Sequence, residues 1–522
     1  MSDQVRWGFI ETILAPFSPR AARNRYLERV AIANLRRSYD GASKGRGTQG
    51  WRTAGTSADA EISAAGSLLR DRMRDLVRND PLAAQAVQVL VNNIVGPGIR
   101  PRAKGKNKKL NKQVDALWAQ FSAGCDWHGH TDFHGLTALA VREMIEGGEV
   151  LAIQRFQRRG NGRSVPLKIE LREGDHLDDA KVSFTANGPR VEQGIEYDAE
   201  GRRVAYWMFP DHPGGTSRAF ARRMTSERVP ADRVAHLFER QRVQSRGVPW
   251  GVAAMRGLRD FGDWHSAELV RKKTEACLVG IVIADDFEAG GVGAAQVSTG
   301  GTDPYLRDAS GVQVESFEPG MFAYSNGARD VKFSQPGSTA NVQEWSRTQM
   351  QIIAAGFRVP YALMTGDLSQ ANFSSNRAGL NEFRRMVDQL QWQCVIPMFC
   401  QPIWDWFIQA CNVQGLIDVA EVPVEWAPPR FESVNPKQDA EADIAEVRAG
   451  FATRSQKIAA RGYDPQEVLD EWASDAKAAD AVSLVFDSDP RRVAKAGTSQ
   501  VDSSVAGQAG DSTAGQAGAQ TE

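Results

Sequence analysis

The segment that most constrains the fold runs from Gly356 to Trp406. Within it Leu380, Phe383, Val387, Leu390 and Cys394 recur at alternating steps of three and four residues. That spacing places five side chains on one stripe of a long helix, and an apolar stripe has to be covered by another element. Just before it, Gln370, Ala371, Asn372, Phe373 and Ser374 read as an exposed polar hairpin. Ser374 or Ser375 offers a hydroxyl to the unpaired amides of the first turn and is the expected N-cap. Pro397 and Pro402 lie further along the same pattern. Each ring removes a backbone donor and crowds the preceding turn, so a kink or a break is expected there.

Upstream, helices and strands mix. Leu69, Met73, Leu76 and Val77 share one face of a helix over 57–79, and Asp80-Pro81 closes it and caps the next, which Gly96-Pro97-Gly98 stops. Asp132 caps a helix through Leu136, Leu139, Ala140 and Met144, and strands follow at 150–156 and 167–172. Asp198-Ala199-Glu200-Gly201 reads as the turn of a hairpin over 195–209. Helices are expected over 251–278 and 339–355, with a strand over 276–284 between them, and Asp464-Pro465 with Glu467 marks another helix start. The fold class is α+β. A chain of 522 residues exceeds what a single core supports, so several domains are expected.

Charge and motifs exclude several functions. The formal net charge is -1, which gives no whole-molecule field for tight nucleic-acid binding. The five cysteines have no paired spacing, so neither a disulfide framework nor a zinc ribbon is expected. Cys125, His128, His130 and His134 crowd together, but no second cluster completes a tetrahedron and the segment reads as a capped loop; no metal or other cofactor is expected. The phosphate loop GxxxxGK[ST] is absent, and the GxSxG match at Gly41 to Gly45 falls in a loop-like glycine-rich run and not at a strand-to-helix turn, which disfavours the alternative of a terminase-like DNA-processing enzyme of the packaging machinery. No apolar run is long enough for a bilayer span, and the start reads as an unprocessed cytoplasmic one. His236, in an apolar strand, reads as a packed residue.

Several strings carry a family resemblance: VPYALMTGD followed by NFSSNRAG between Ala355 and Arg377, RDLVRNDPLAAQAVQVLVNNIVGPGIRP, IEYDAEGRRVAYWM, and VPADRVAHLFERQRVQSRGVPW. They resemble the portal proteins of lambda-type tailed phages, over about Arg20 to Asp480. The resemblance implies a non-enzymatic subunit of a dodecameric ring at one capsid vertex of the virion, assembled in the host bacterial cytoplasm. The ring would be a channel for double-stranded DNA in packaging and ejection. Its implied partners are the terminase large subunit, the head-tail connector protein and the major capsid or scaffold protein, with no membrane.

Carried onto this chain, the resemblance implies a basic arm at 1–50, an α/β wing at 51–250, a first stem helix at 251–280 and a small α/β clip at 281–335. A second stem helix at 336–358, the tunnel loop and long kinked helix at 359–412, and a return to the wing at 413–434 follow. A helical crown occupies 435–490 and a disordered tail 491–522. Gln370, Ala371, Asn372, Phe373 and Ser374 would face the channel. Trp345, Leu380, Phe383, Val387 and Leu390 would pack subunits together. Arg240, Arg242, Arg246, Arg384 and Arg385 would meet DNA or a subunit boundary. A conduit must not grip phosphates, since each one neutralised adds binding that sliding has to overcome. A loop of Gln, Asn and Ser suits that requirement.

Overall fold

A computed structural model describes residues 55–157, 164–184, 188–215, 225–276, 280–284, 322–326, 332–333, 342–369, 373–429, 436–461 and 465–484, with a few isolated positions. Met1–Glu61 and Ile62–Glu522 are two compact units, and nearly all described residues lie in the second. The fold combines helices with four small sheets among the described residues.

Helix α1 (Ala58–Asn79) ends where Asp80 begins α2 (Pro81–Ile94). The Asp80 carboxylate accepts from the Leu82 and Ala83 amides at 2.8 and 3.2 Å, and Pro81 occupies the first helical position, where a missing N–H costs nothing. Next come β1 (Arg100–Ala103), α3 (Lys108–Ser122) and α4 (Phe133–Glu146), which Asp132 caps through the Gly135 amide at 2.8 Å.

Strands β2 (Glu149–Phe156), β3 (Leu167–Glu173) and β9 (Val234–Phe238) form an antiparallel sheet with β2 in the centre. Side chains alternate along β2, so it is buried on both faces. Val150 and Ala152 join the main core, whereas Leu151 and Ile153 join a second cluster with Ile195, Tyr206 and Met208. That second cluster lies under a five-stranded antiparallel meander of β4 (Ser183–Phe184), β5 (Arg190–Glu192), β6 (Ile195–Tyr197), β7 (Arg203–Met208) and β8 (Glu227–Pro230).

Helix α5 (Met255–Ala276) leads to a three-stranded sheet in which β10 (Gly280–Ala284) lies between β11 (Phe322–Asn326), parallel to it, and β12 (Lys332–Phe333), antiparallel. The chain returns in α6 (Val342–Phe357), α7 (Tyr361–Thr365) and α8 (Phe373–Leu390).

The expected kink or break at Pro397 is replaced by a change of helical pitch. From Gln391 to Cys400 the helix is π-wound, its last bond running from the Gln401 amide to Ile396 O, and α9 (Gln401–Val413) continues from it. A wider turn accommodates a residue that cannot donate, and burial of Val395, Ile396, Phe399 and Cys400 holds it. Strand β13 (Val424–Ala427) then pairs antiparallel with β1, Pro101 opposite Trp426. Helices α10 (Pro436–Arg448), α11 (Arg454–Ala460) and α12 (Pro465–Ala481) follow.

One continuous core joins α2–α4, β2, β9 and the α8–α9 run. Its centre is aromatic: Trp118 lies 5.0 Å from Phe133, 5.2 Å from Trp404 and 5.1 Å from Phe407, centroid to centroid. Such pairs add roughly 0.5–1.5 kcal/mol each beyond the area they bury.

Candidate functional site

The turn that follows α7, at 366–369, is fixed from both sides. Gly366, at φ 72, ends α7 in the left-handed region and turns the chain so that Asp367 faces back to α6 and α7. The Asp367 carboxylate accepts from Tyr361 Oη at 2.8 Å, Arg347 Nη2 at 3.1 Å and the Ser369 amide at 3.0 Å. Hydrogen bonds from Ser369, then Tyr361, with the Arg347 charge beside them, hold this carboxyl well below the usual range. Arg347 also donates to Ser369 Oγ at 3.2 Å, so one guanidinium spans both ends of the turn.

Gln370, Ala371 and Asn372 lie outside the described residues. Phe373 and Ser374 belong to the backbone of α8, so the helix begins earlier than expected and Ser374 and Ser375 sit in its first turn, not at its cap.

The stripe on α8 is covered by the chain's own elements. Phe383, Val387 and Leu390 are buried in the main core, which corrects the expectation that they pack one subunit against another. Each contributes about 1.5–3 kcal/mol by leaving water. Leu380 is half-buried. At the end of the stripe the buried Gln391 donates to Ile94 O at 2.8 Å, satisfying a terminal carbonyl of α2.

Trp345 is different. It sits on α6 with its ring 4.1 Å from Trp264 and 6.2 Å from Phe261 on α5, yet stays 42% exposed. Ile352, seven residues on and therefore on the same stripe, is 60% exposed, and Leu269 and Val270 on α5 are exposed too. Where α6 ends it packs closely on the turn just before α5: a Cβ on Gly356 would lie 2.7 Å from Ala254 Cβ.

The five arginines part company. Arg246 is buried, so neither a phosphate nor a neighbouring subunit reaches it. Its Nε lies 2.8 and 2.9 Å from the oxygens of buried Glu149, and it also donates to Gln193 O at 3.1 Å and Gly174 O at 3.2 Å. Burial alone would raise the Glu149 carboxyl, but Arg246 and a hydrogen bond from His236 outweigh it and hold the carboxyl far below its ordinary value. His236 Nε2 stands 3.0 Å from Glu149, and burial pushes this imidazole toward its neutral form, as a packed histidine should be. Arg240 and Arg242 are exposed, Arg384 is half-buried, and Arg385 is exposed beside Glu382 at 3.2 Å.

The candidate metal ligands do not assemble. Cys125 is buried, which pushes its thiol up to about 12, and Asp126 instead organises the turn by accepting from the His128 and His130 amides at 3.1 and 2.7 Å. Among the described residues, Glu173, Asp175 and His212 lie close enough to share an ion. Arg74 Nη2 already sits 2.7 Å from both carboxylates, and a second cation there would be repelled. No helix among the described residues is long and apolar enough to cross a membrane.

The family described as "Phage portal protein, lambda family" matches residues 44–391. The "Probable portal protein" of Halomonas phage phiHAP-1 is 25% identical over 463 residues, covering 84% of this chain and 86% of that protein. The portal protein of Escherichia phage N15 is 22% identical over 498 residues, covering 83% and 88%. Among solved structures, a chain from "Neck of empty GTA particle computed with C6 symmetry" is similar over 80% of this chain and 97% of its own, at 14% identity and a TM-score of 0.38.

Proposed function

The chain belongs to the lambda family of phage portal proteins, a structural and non-enzymatic family, and from that premise we propose that its copies close into a ring at one capsid vertex through which duplex DNA is packaged and ejected. The observation that carries the ring is the α5–α6 pair. Trp345 and Ile352 form an exposed apolar stripe on α6, and Leu269 and Val270 lie exposed on α5. Two different faces of one subunit that cover each other make a head-to-tail contact, and such a contact closes into a ring when the rotation between neighbours permits. Leu380 extends that contact surface from α8.

On this reading the wing is the part of the chain from Trp51 to Trp250, with β13 returning to it. Helices α5 and α6 are the stem, the β10–β12 sheet belongs to the clip, and α10–α12 form the crown. The clip docks the terminase large subunit and later the head-tail connector, while capsid or scaffold protein meets the outside. The dodecamer is the expected ring.

The loop Gln370–Asn372, anchored through Asp367, leans into the channel, with Phe373 and Ser374 at its root. Its side chains touch the duplex and let go, because uncharged polar groups displace no counterions. Arg384 and Arg385 lie about three turns down α8 from that root and Arg240 and Arg242 lie on the wing; these four are the remaining candidates for DNA or subunit contacts.

Gln370→Lys with Asn372→Lys tests the loop assignment. Ring assembly is expected to be unchanged and DNA packaging to slow, because two cations per subunit now grip the backbone. Packaging at the unmodified rate by assembled rings would remove the loop from the channel.

A further inference from the structure

Between the end of α2 and the body of α3 the chain carries seven cations and no carboxylate. Arg100 and Arg102 stand on β1, Lys104 and Lys106 in the following turn, and Lys108, Lys109 and Lys112 at the start of α3. All five lysines are exposed. Lys104 meets Glu425 at 2.8 Å in a pair open to water, while among the described residues Lys106, Lys108, Lys109 and Lys112 have no ion pair. In a chain whose net charge is -1, this is a concentrated field of one sign.

Helix physics opposes such an arrangement. The first amides of a helix carry partial positive charge, so lysines in the first turn are disfavoured and carboxylates favoured. Yet α3 has no acidic residue in its first turn, and its N-cap is the neutral Asn107, accepting from the Lys109 and Leu110 amides at 3.0 and 3.3 Å. In the same chain α1 opens with Asp59 and Glu61, and Asp80 and Asp132 cap α2 and α4. Inside the fold Glu425 answers Lys104, and Asp115 accepts from the Ala103 amide at 2.9 Å, so four lysines are left without a carboxylate among the described residues, which points to an anion supplied from outside.

The kind of anion follows from what the patch lacks. Protein partners are held by buried aromatic and aliphatic anchors. No large apolar side chain is exposed from Arg100 to Lys112, and Leu110 packs against the chain's own core. Lysine is a mobile, hydrated point charge suited to diffuse phosphate contacts, not to the bidentate recognition that favours arginine. A phosphate backbone asks for charge and little shape.

We infer that β1, its following turn and the start of α3 form an anchoring surface for the phosphate backbone of duplex DNA, separate from the loop at 370–372. The inference rests on the portal reading for the identity of the polyanion, and on no assignment of the loop. Because neutralised phosphates resist sliding, the surface serves DNA held in place, not DNA in passage.

The test uses the full chain and a random-sequence duplex titrated across salt concentrations, with assembly followed by sedimentation. A variant carrying Lys104→Gln, Lys106→Gln, Lys108→Gln, Lys109→Gln and Lys112→Gln is expected to lose more than about tenfold in affinity at low salt. The slope of log K against log salt should become shallower by about 4. Arginine at the same five positions should restore binding, and the milder pair Lys108→Gln and Lys109→Gln should reduce the slope by about 2. An assembled five-Gln variant that binds DNA with unchanged affinity and slope overturns this inference alone. Tighter binding of poly-glutamate than of DNA overturns duplex DNA as the occupant. Failure of the unmutated protein to form rings overturns the portal reading instead.

Discussion

Arg246 and Glu149, 97 residues apart in the chain, meet inside it: the guanidinium Nε lies within 2.9 Å of both carboxylate oxygens, and both side chains are shut off from water. Glu149 also accepts from His236 and from the Gly247 amide at 3.0 Å, which ties the strap after β9 to the first residue of β2. Removing one member leaves the other buried and unpaired. Arg246→Ala should therefore cost about 3–5 kcal/mol in unfolding free energy. Arg240→Ala, on the exposed part of the same arginine-rich string, should stay within about 0.5 kcal/mol. Chemical denaturation distinguishes them, and a small effect at Arg246 would remove it from the core.

Stability should fall in strong acid, with opposing contributions nearer neutrality. Burial lowers His176 to about 4 and lowers His236, so both are neutral when folded and gain protons only on unfolding. Their contribution is complete above the ordinary histidine value of 6.5 and declines as pH drops through it. Glu149 is depressed, so its contribution is complete above 4.5 and is lost as pH falls below that value. Glu143 works the other way, because burial raises its carboxyl to about 7 and it gains a proton in the folded state first, so melting temperature should change little between 7 and 4.5 and fall below 4.5. A melting temperature that rises as pH falls below 4.5 would contradict these environments.

Gly356→Ala should push the end of α6 away from Ala254, just before α5. Its methyl would stand 2.7 Å from Ala254 Cβ, with backbone behind it, so relief requires α6 to shift. A loss of about 1–3 kcal/mol is expected. At Gly379 a Cβ meets nothing within 4 Å, and alanine there should be neutral or slightly stabilising as the better helix former. Equal effects at the two sites would dismiss the close crossing.

Tyr361→Phe and Asp367→Asn should loosen the base of the loop without touching assembly. Both remove donors or charge from the node that links Arg347, Tyr361 and Ser369. Limited proteolysis between Ser369 and Ser375 should accelerate several-fold while sedimentation stays unchanged. Unaltered cleavage would show that the node does not hold the loop.

These results also show which parts of the structure were legible in the residues. Caps at Asp80 and Asp132, and the hairpin turn at Asp198–Gly201, are decided by neighbours in sequence, and the elements lie where those residues put them. The stripe on α8 correctly called for a covering partner, but periodicity cannot say whose surface supplies it; α2 and the core of the same chain do. Pro397 argued for a break because its missing donor is local, whereas the packing that sustains a π-wound helix through it is not. Arg246 read like its exposed neighbours because Glu149 is far away in sequence. Helix α3 was missed although Val114, Trp118 and Phe121 carry the necessary spacing of four and three, because its lysine-rich start obscured the amphipathic pattern.

The central claim is closure into an annulus, and electron microscopy of the purified full-length chain tests it most directly. The account predicts particles of one rotational symmetry with an open centre, with Trp345 and Ile352 buried between adjacent subunits. Monodisperse monomers under all conditions, or particles without a central opening, would contradict it.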